Sequence, residues 1–328
     1  MGMEIPVSIG INDVATLSAH VIHEVERAIV GKRTVLERIM AAVLAGGHVL
    51  LEDYPGLAKT LIAKSFATAL GLEFRRVQFT PDLLPGDITG SYIYDRATGR
   101  FELRKGPIFT NILLADEINR ASPKTQSALL EAMQEGQVTL EGETMPLPEP
   151  FLVLATQNPI EYEGTFPLPE AQLDRFLMKL SVGYPAPEEE REILRRRRER
   201  RADEVQLATI TSAEELLAMR AAIEDVYVDP DIERYIVALV TATRQDSRVA
   251  VGASPRGSLA LLKLARAQAA IEGRDYVIPD DVKGLVRPAL AHRLILTPDL
   301  WMQRRATDEI LGAILNAVAV PSIGEAPR

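Results

Sequence analysis

Residues 48–60 read HVLLEDYPGLAKT and carry the strongest signal for the fold. The apolar run at residues 48–51 is short and stops at Glu52, which is typical of a buried strand in a parallel sheet. A Pro-Gly turn follows, and beyond it apolar residues recur at helical spacing until a glycine ends the pattern. The segment therefore predicts a strand, a tight loop and a helix that begins at Lys59 and Thr60.

Two further apolar runs end in polar residues. Residues 111–117 finish with Asp116 and Glu117, and the run at residues 151–156 leads into Asn158. Ligands bind at the edge of a parallel sheet where the carboxyl ends of the strands meet. We therefore expect these side chains to converge with the loop after the first strand on one bound molecule.

The residue types at this edge are those that bind a nucleoside triphosphate and its metal. Free N–H groups at a helix start attract anions, so Lys59 is expected to reach the β and γ phosphates of ATP, and the Thr60 hydroxyl to bind Mg²⁺. Asp116 would hold that ion through its waters, and Glu117 would act as the general base for an attacking water. Asn158 would orient the same water by hydrogen bonds.

The loop departs from the strict pattern GxxxxGK[ST], because Asp53 and Ala58 stand where that pattern has glycine. Alanine is compatible with a right-handed backbone at a helix start, and Asp53 would repel a phosphate unless its side chain turned away. For the loop taken alone, the alternative interpretation is a Pro-Gly turn between a strand and a helix in which the lysine has no ligand-binding role. The alternative for Asp116 and Glu117 is a pair of solvated carboxylates at a strand end. The alternative for Asn158 is a helix or turn cap.

Two arginines are candidates for contact with phosphate. Arg175 follows the core segments and, supplied to the site of a neighbouring subunit, would raise the rate about a thousandfold or more. An ion pair with Asp174 or Glu170 is the alternative for that residue. Arg256 stands just inside a predicted helix start, where a cation is unfavourable for the helix dipole, so it implies an anionic partner. That partner would be the phosphate bound by the same chain, unless Arg256 is a plain surface residue.

Composition excludes several classes of protein. The net charge of −9 argues against a general affinity for nucleic acids, and the absence of cysteine excludes disulfides and thiolate metal sites. No apolar run reaches the roughly 20 residues of a membrane-spanning helix, and the amino end does not resemble a secretory signal. These features predict a cytoplasmic protein without a membrane span. The sole tryptophan, Trp301, is interpreted as a packing residue.

The chain length predicts more than one domain. Strand signals stop near residue 185, and four amphipathic helical patterns follow at residues 212–226, 231–244, 255–272 and 279–294. The expected units are an α/β core with N-terminal helices (1–190), a charged linker helix (191–210), a helical lid (211–320) and a flexible tail (321–328). An arginine run at residues 195–201 raises the alternative of a nucleic-acid helicase, but interleaved glutamates favour a solvated helix face.

In order along the chain, these elements resemble the MoxR family of AAA+ ATPases over residues 15–318. The matching stretches are residues 30–32, 52–60, 114–121, 155–159, 163–176 and 254–256. The family implies an α/β fold, namely a P-loop NTPase parallel sheet flanked by helices and followed by a small all-α lid domain.

The resemblance also implies roles for individual residues. Asp116 and Glu117 correspond to the Walker B pair, Asn158 to sensor 1, Arg175 to an arginine finger and Arg256 to sensor 2. The Walker A loop would supply the nucleotide contacts, which are Tyr54, Pro55, Gly56, Leu57, Ala58, Lys59, Thr60 and Leu61.

The resemblance further implies an ATP hydrolase that acts in homo-oligomeric rings, commonly hexamers, with Mg²⁺ as cofactor. Such rings are thought to remodel partner proteins or insert metals into them, often partners with von Willebrand factor A domains. Hairpins near residues 95–101 and 138–147 would face the pore or the partner. A nucleotide-switched scaffold with little hydrolysis remains the alternative, and a small-molecule kinase has less support.

Overall fold

The computed structural model describes residues 9–159, 164–300, 303 and 305–321 of the 328-residue chain. Trp301, Glu163 and residues 322–328 of the expected tail lie outside this part. The described helices are α1 Ile11–Glu26, α2 Arg33–Leu44, α3 Lys59–Ala69, α4 Pro85–Thr89, α5 Pro123–Glu135, α6 Glu170–Leu173, α7 Pro187–Arg200, α8 Ala213–Ile223, α9 Pro230–Gln245, α10 Pro255–Ile271, α11 Pro279–Leu290 and α12 Ala306–Ala317.

The described strands form four sheets. They are β1 Val49–Glu52, β2 Phe74–Gln78, β3 Gly90–Asp95, β4 Arg100–Lys105, β5 Ile112–Asp116, β6 Gln137–Leu140, β7 Glu143–Pro146, β8 Leu152–Gln157, β9 Met178–Leu180, β10 Val249–Val251 and β11 Ile295–Leu296.

The central sheet has the order β2-β5-β8-β1-β9, and all its strand pairs are parallel. Strands β1, β5 and β8 are buried until their last residues, which are partly exposed. The register pairs Glu52 with Gln157 and Gln78 with Asp116, so these strands end at the same edge. The predicted α/β fold with a parallel sheet is confirmed, and so is the predicted convergence of the strand ends.

Alternate side chains of the strands pack on opposite faces of the sheet. Val49 and Leu51 join a core formed with α1, α2 and α3, whereas Leu50 joins a second core formed with α5. The first core continues without a break into helices α8 to α12. Helices α1 and α2 therefore lie between the sheet and the lid, and they connect the two units through one apolar interior.

The two predicted hairpins are confirmed. Strands β3 and β4 pair antiparallel around the turn at residues 96–99, and β6 and β7 pair around Glu141 and Gly142, which both have positive φ. The expectation of a lid without strands is wrong, because β10 and β11 form a short antiparallel pair there. These strands have three and two residues, too few to show the alternation that predicts a strand.

The charged helix α7 begins at Pro187 and ends at Arg200, so the range 191–210 starts inside it and runs past its end. Its arginines and glutamates form ion pairs on the helix surface, including the pair of Glu192 with Arg196 at 2.8 Å. Within the described ranges, no helix combines the length and the hydropathy that crossing a bilayer requires.

Candidate functional site

The loop between β1 and α3 turns sharply through left-handed backbone. Gly56 has φ 84°, and Ala58, which caps α3, has φ 57° and ψ 15°. The right-handed backbone under which alanine would be tolerated at this position is therefore not present. A residue with a Cβ is disfavoured by roughly 1–2 kcal/mol in this region, which explains why the strict pattern has glycine at this position.

Asp53 turns away from the loop interior. Its carboxylate Oδ2 accepts hydrogen bonds from the N–H groups of Val182 and Gly183 at 2.5 and 2.8 Å, and from the Ser181 hydroxyl at 3.0 Å. The residue is buried. Hydrogen bonds from neutral donors just after β9 thus stabilise the carboxylate, and Asp53 anchors the loop to that segment without facing the loop interior.

Lys59 lies over the loop. Its Nζ donates to the carbonyls of Asp53 at 2.6 Å and of Tyr54 at 3.1 Å. The Tyr54 ring instead contacts Tyr184, with ring centroids 5.9 Å apart. Tyr54 therefore meets the lysine through its backbone only.

A cavity of about 460 Å³ opens beside the loop and gathers most of the predicted residues. It is lined by residues 55–61 together with Asp116, Glu117 and Asn158. Tyr54, Arg175 and Arg256 are not among its lining residues. Arg76, Gln78 and Thr156 line it as well. The sequence patterns did not identify these three residues as part of the site.

Thr156 connects the two carboxylate positions. Its hydroxyl donates to Asp116 Oδ1 at 2.6 Å and accepts the backbone N–H of Glu117 at 2.8 Å. The side chain is buried at the end of β8. Glu117 itself has φ 56°, a strained conformation for a residue with a side chain. One buried hydroxyl thus positions Asp116 and stabilises the unusual backbone at Glu117.

Arg76 on β2 occupies the other oxygen of Asp116. Its Nε and Nη2 donate to Oδ2 at 3.0 and 2.7 Å, and the arginine side chain is 48% exposed. Hydroxyl and carboxylate oxygens such as those of Thr60 and Asp116 suit Mg²⁺, which usually keeps waters and binds substrate phosphates. No group of three or more acidic, histidine or cysteine residues that could hold a metal alone occurs in the described ranges. The donor set therefore fits a magnesium ion that arrives with a nucleotide.

Glu117 is also engaged. Its Oε2 accepts from Gln78 Nε2 at 2.7 Å and from Arg120 at 3.0 Å. Gln78 is the register partner of Asp116 in the neighbouring strand. Gln78 reaches Glu117 because the order of strands in the sheet places β2 beside β5. The sequence alone shows only that Gln78 is a polar residue at the end of a strand.

The two arginines lie outside the cavity. Arg175 follows α6, and within the described part of the chain it forms no ion pair with Asp174 or Glu170. The carboxylate of Asp174 instead binds Arg293 and lies 3.9 Å from Arg256. The anionic partner expected for Arg256 is thus an aspartate of the core, and the structure does not bring Arg256 to the cavity of its own chain.

Residues 48–178 match the ATPase family associated with various cellular activities (AAA), and residues 241–314 match the AAA lid domain. Over 94% of its length the chain is 50% identical to the uncharacterized protein YeaC of Bacillus subtilis, of which it covers 96%. It is 47% identical, again over 94% of its length, to Chaperone MoxR1 of Mycobacterium tuberculosis, of which it covers 83%. A solved structure from Cytophaga hutchinsonii, 44% identical, aligns with a TM-score of 0.88 over 94% of this chain and 96% of that one. The chain therefore belongs to the MoxR family of AAA+ ATPases.

Proposed function

We propose that the protein hydrolyses ATP to ADP and phosphate in the cavity beside the loop, and that it does so as part of a ring. The observation that carries this proposal is the convergence of Lys59, Thr60, Asp116, Glu117 and Asn158 on one cavity. Phosphoryl transfer to water needs phosphate binding, a metal site and a base for water, and these residue types supply all three.

Each group has a distinct task in this proposal. Lys59 and the N–H groups at the start of α3 bind the phosphates, and Thr60 and Asp116 hold Mg²⁺, which when bound neutralises charge on the phosphate oxygens. Binding of the ion at Asp116 would require this carboxylate to release Arg76. Glu117 accepts the proton of the attacking water, which Asn158 orients.

Arg175 is assigned to the site of a neighbouring subunit. Its absence from the cavity of its own chain supports this assignment, because an arginine finger is supplied from outside the site it serves. The ring is proposed to be a hexamer, as the family resemblance implies.

The purpose of hydrolysis is proposed to be chaperone-like remodelling of a partner protein, or insertion of a metal or cofactor into it, in the cytoplasm. A partner with a von Willebrand factor A domain is the first candidate, again on the family resemblance. The relatedness to Chaperone MoxR1 supports the remodelling role.

The proposal is tested by phosphate release and nucleotide binding. Lys59→Ala should abolish binding of a fluorescent ATP analogue, whereas Lys64→Ala, on the exposed side of the same helix, should leave binding unchanged. Glu117→Gln should bind ATP and lose at least about a hundredfold in rate, because it lacks the base. Equal and negligible phosphate release by the wild type and Glu117→Gln would instead favour the nucleotide-switched scaffold.

A mixing experiment tests the role of Arg175. Arg175→Ala subunits keep an intact cavity, and Lys59→Ala subunits keep an intact arginine. If the arginine acts between subunits, mixing the two inactive variants should restore part of the activity. Activity that stays at the level of the separate variants would contradict an arginine shared between chains.

A further inference from the structure

Arg293 is a buried arginine far along the chain from every residue of the cavity. It ends the 3₁₀ helix Ala291–Arg293 in the lid, and its side chain is only 3% exposed. Burial disfavours the charged form and lowers the pKa of the guanidinium, while Asp174 acts in the opposite direction. A buried charge persists only when it is paired and fully hydrogen-bonded, so the partners of Arg293 show what it holds.

Those partners are the residues on either side of Arg175. Arg293 Nη1 donates to the backbone carbonyl of Asp174 at 2.9 Å and also to its carboxylate, and Nη2 donates to the carbonyl of Phe176 at 2.7 Å. Its Nε is bound to Ala289 within the lid at 2.7 Å. The planar guanidinium therefore holds the carbonyl groups of the two residues that flank Arg175 against the lid.

Two further lid residues bind the same segment. His292 Nε2 donates to the carbonyl of Phe176 at 3.0 Å, and the Ser254 hydroxyl donates to Asp174 Oδ2 at 3.1 Å. Contacts from the ends of two separate lid elements thus converge on residues 174–176. The Arg175 side chain takes no part in them.

The core and the lid fix this segment together, because Phe176 is fully buried in the second core and the Leu177 N–H donates to the His48 carbonyl at 2.8 Å. Helix α6, which precedes it, has four residues, and strand β9 begins only at Met178. The lid contacts therefore contribute to the direction in which Arg175 leaves the backbone, since they bind the carbonyls of Asp174 and Phe176. A guanidinium that must reach a phosphate in another subunit is sensitive to that direction, since a displacement of 1 Å can lower a rate about a hundredfold.

We propose that Arg293 is a positioning residue that couples the lid of one subunit to the arginine it presents to the next. The inference rests on the proposed function of Arg175. When the lid changes its orientation, Arg293 carries the backbone on both sides of Arg175 with it. The nucleotide state of one cavity can then alter hydrolysis in the neighbouring cavity through this connection.

The chain offers a matched control for a merely structural role. Arg274 forms a bidentate pair with Asp281 at 2.8 and 2.6 Å, and its side chain is 19% exposed. This pair lies within the lid and does not contact residues 174–176. Arg274→Met therefore removes a largely buried ion pair of the same kind while leaving the arginine segment untouched.

The test compares kcat and nucleotide affinity of Arg293→Met, Arg293→Lys and Arg274→Met under conditions where all are folded. Both Arg293 variants should lose about 10- to 100-fold in kcat with an unchanged dissociation constant for a fluorescent ATP analogue. Lysine keeps the charge but lacks the fork that spans two carbonyls, so it should not rescue. A wild-type kcat in Arg293→Lys, or an equal loss in Arg274→Met, would overturn the proposal.

Two combinations separate positioning from general damage. Adding Arg293→Met to Arg175→Ala should lower kcat no further, because both changes remove the same contribution. Mixing Arg293→Met with Lys59→Ala subunits should restore activity, whereas Arg274→Met should gain nothing from mixing. Additive losses or absent rescue would exclude Arg293 as a positioning residue. If Arg175→Ala alone leaves kcat unchanged, the proposed function of Arg175 fails first, and the two failures are thereby distinguished.

Discussion

Two regions each contain an arginine–aspartate pair. One is the cavity beside the loop, and the other is the junction in which Ser254, His292 and Arg293 of the lid bind residues 174–176. In the cavity, Arg76 binds Asp116 with 48% of the arginine side chain and 13% of the aspartate side chain exposed. In the junction, Arg293 binds Asp174 with 3% and 19% exposed. An exposed pair contributes little to stability and exchanges partners readily, whereas removing one partner of a buried pair is strongly destabilising.

The backbone conformation also differs between the cavity and the junction. Ala58 and Glu117, which line the cavity, have left-handed backbone, whereas Asp174 in the junction has ordinary helical angles with φ −63°. Strain of this kind persists where the surrounding structure enforces it, and it concentrates at functional sites. In the proposed reaction the groups of the cavity would change partners, whereas the role proposed for Arg293 requires groups that hold their positions.

The largest effect is expected from breaking the organisation of the cavity at Thr156. Thr156→Val keeps the shape of the side chain but leaves the Glu117 N–H without its acceptor and Asp116 Oδ1 without its Thr156 donor. We expect kcat to fall about 100-fold, because both carboxylate positions shift. Thr156→Ser retains the hydroxyl and should recover most of the activity in a phosphate-release assay.

The same variant sharpens the comparison, since the junction is intact in it. Thr156→Val subunits should still supply a working arginine and complement Arg175→Ala subunits on mixing. If Thr156→Ser were as slow as Thr156→Val, the hydroxyl would not be the group that matters.

An intermediate effect is expected from acid, which acts on His292 in the junction and on His48 in the core, whose ring is bound to Met133 and Val153. Burial, with a smaller effect of the Arg293 charge, lowers the pKa of His292 from 6.5 to about 3, and burial lowers that of His48 to about 4. The unfolded chain binds these protons near pH 6.5, so the stability of the fold is lost progressively as the pH falls below that value. At pH 5 each histidine should lower the free energy of unfolding by about 2 kcal/mol.

Urea unfolding at pH 7 and pH 5 measures this loss. His292→Gln retains a donor for the Phe176 carbonyl but does not titrate, so the difference between the two pH values should shrink by about 2 kcal/mol. His20→Gln, an exposed residue on α1, serves as the control. A pH difference identical in wild type and His292→Gln would show that His292 is not held neutral in the junction.

The smallest effect is expected from removing strain in the loop. Ala58→Gly relieves roughly 1–2 kcal/mol of left-handed strain, offset by about 0.4–1 kcal/mol from the greater freedom of the unfolded chain. The net change in unfolding free energy should be a gain of between zero and about 1.6 kcal/mol. Ala128→Gly, inside the right-handed helix α5, should instead lose about 1 kcal/mol. A loss at Ala58 comparable to that at Ala128 would contradict strain at the loop.

Sequence reasoning located the cavity residues that follow strands, because a buried strand is a local pattern with a marked end. Asp116, Glu117 and Asn158 were found in this way, as was Lys59 at a strand-to-helix turn. The same reasoning missed Arg76 and Gln78, which line the cavity only because β2 pairs with β5. It also missed β9, β10 and β11, since strands of two or three residues show no periodicity.

The sequence by itself determined the parallel α/β core, the two hairpins, the helical character of the lid and the family, because each depends on neighbours along the chain or on contiguous motifs. The tertiary structure alone decided that Asp53 turns away from the loop, that Thr156 connects two carboxylates and that Arg256 meets Asp174. It also brought Arg293 to residues 174–176, more than a hundred positions earlier. Such contacts follow from how distant segments pack, and a buried arginine in a sequence does not name its partner.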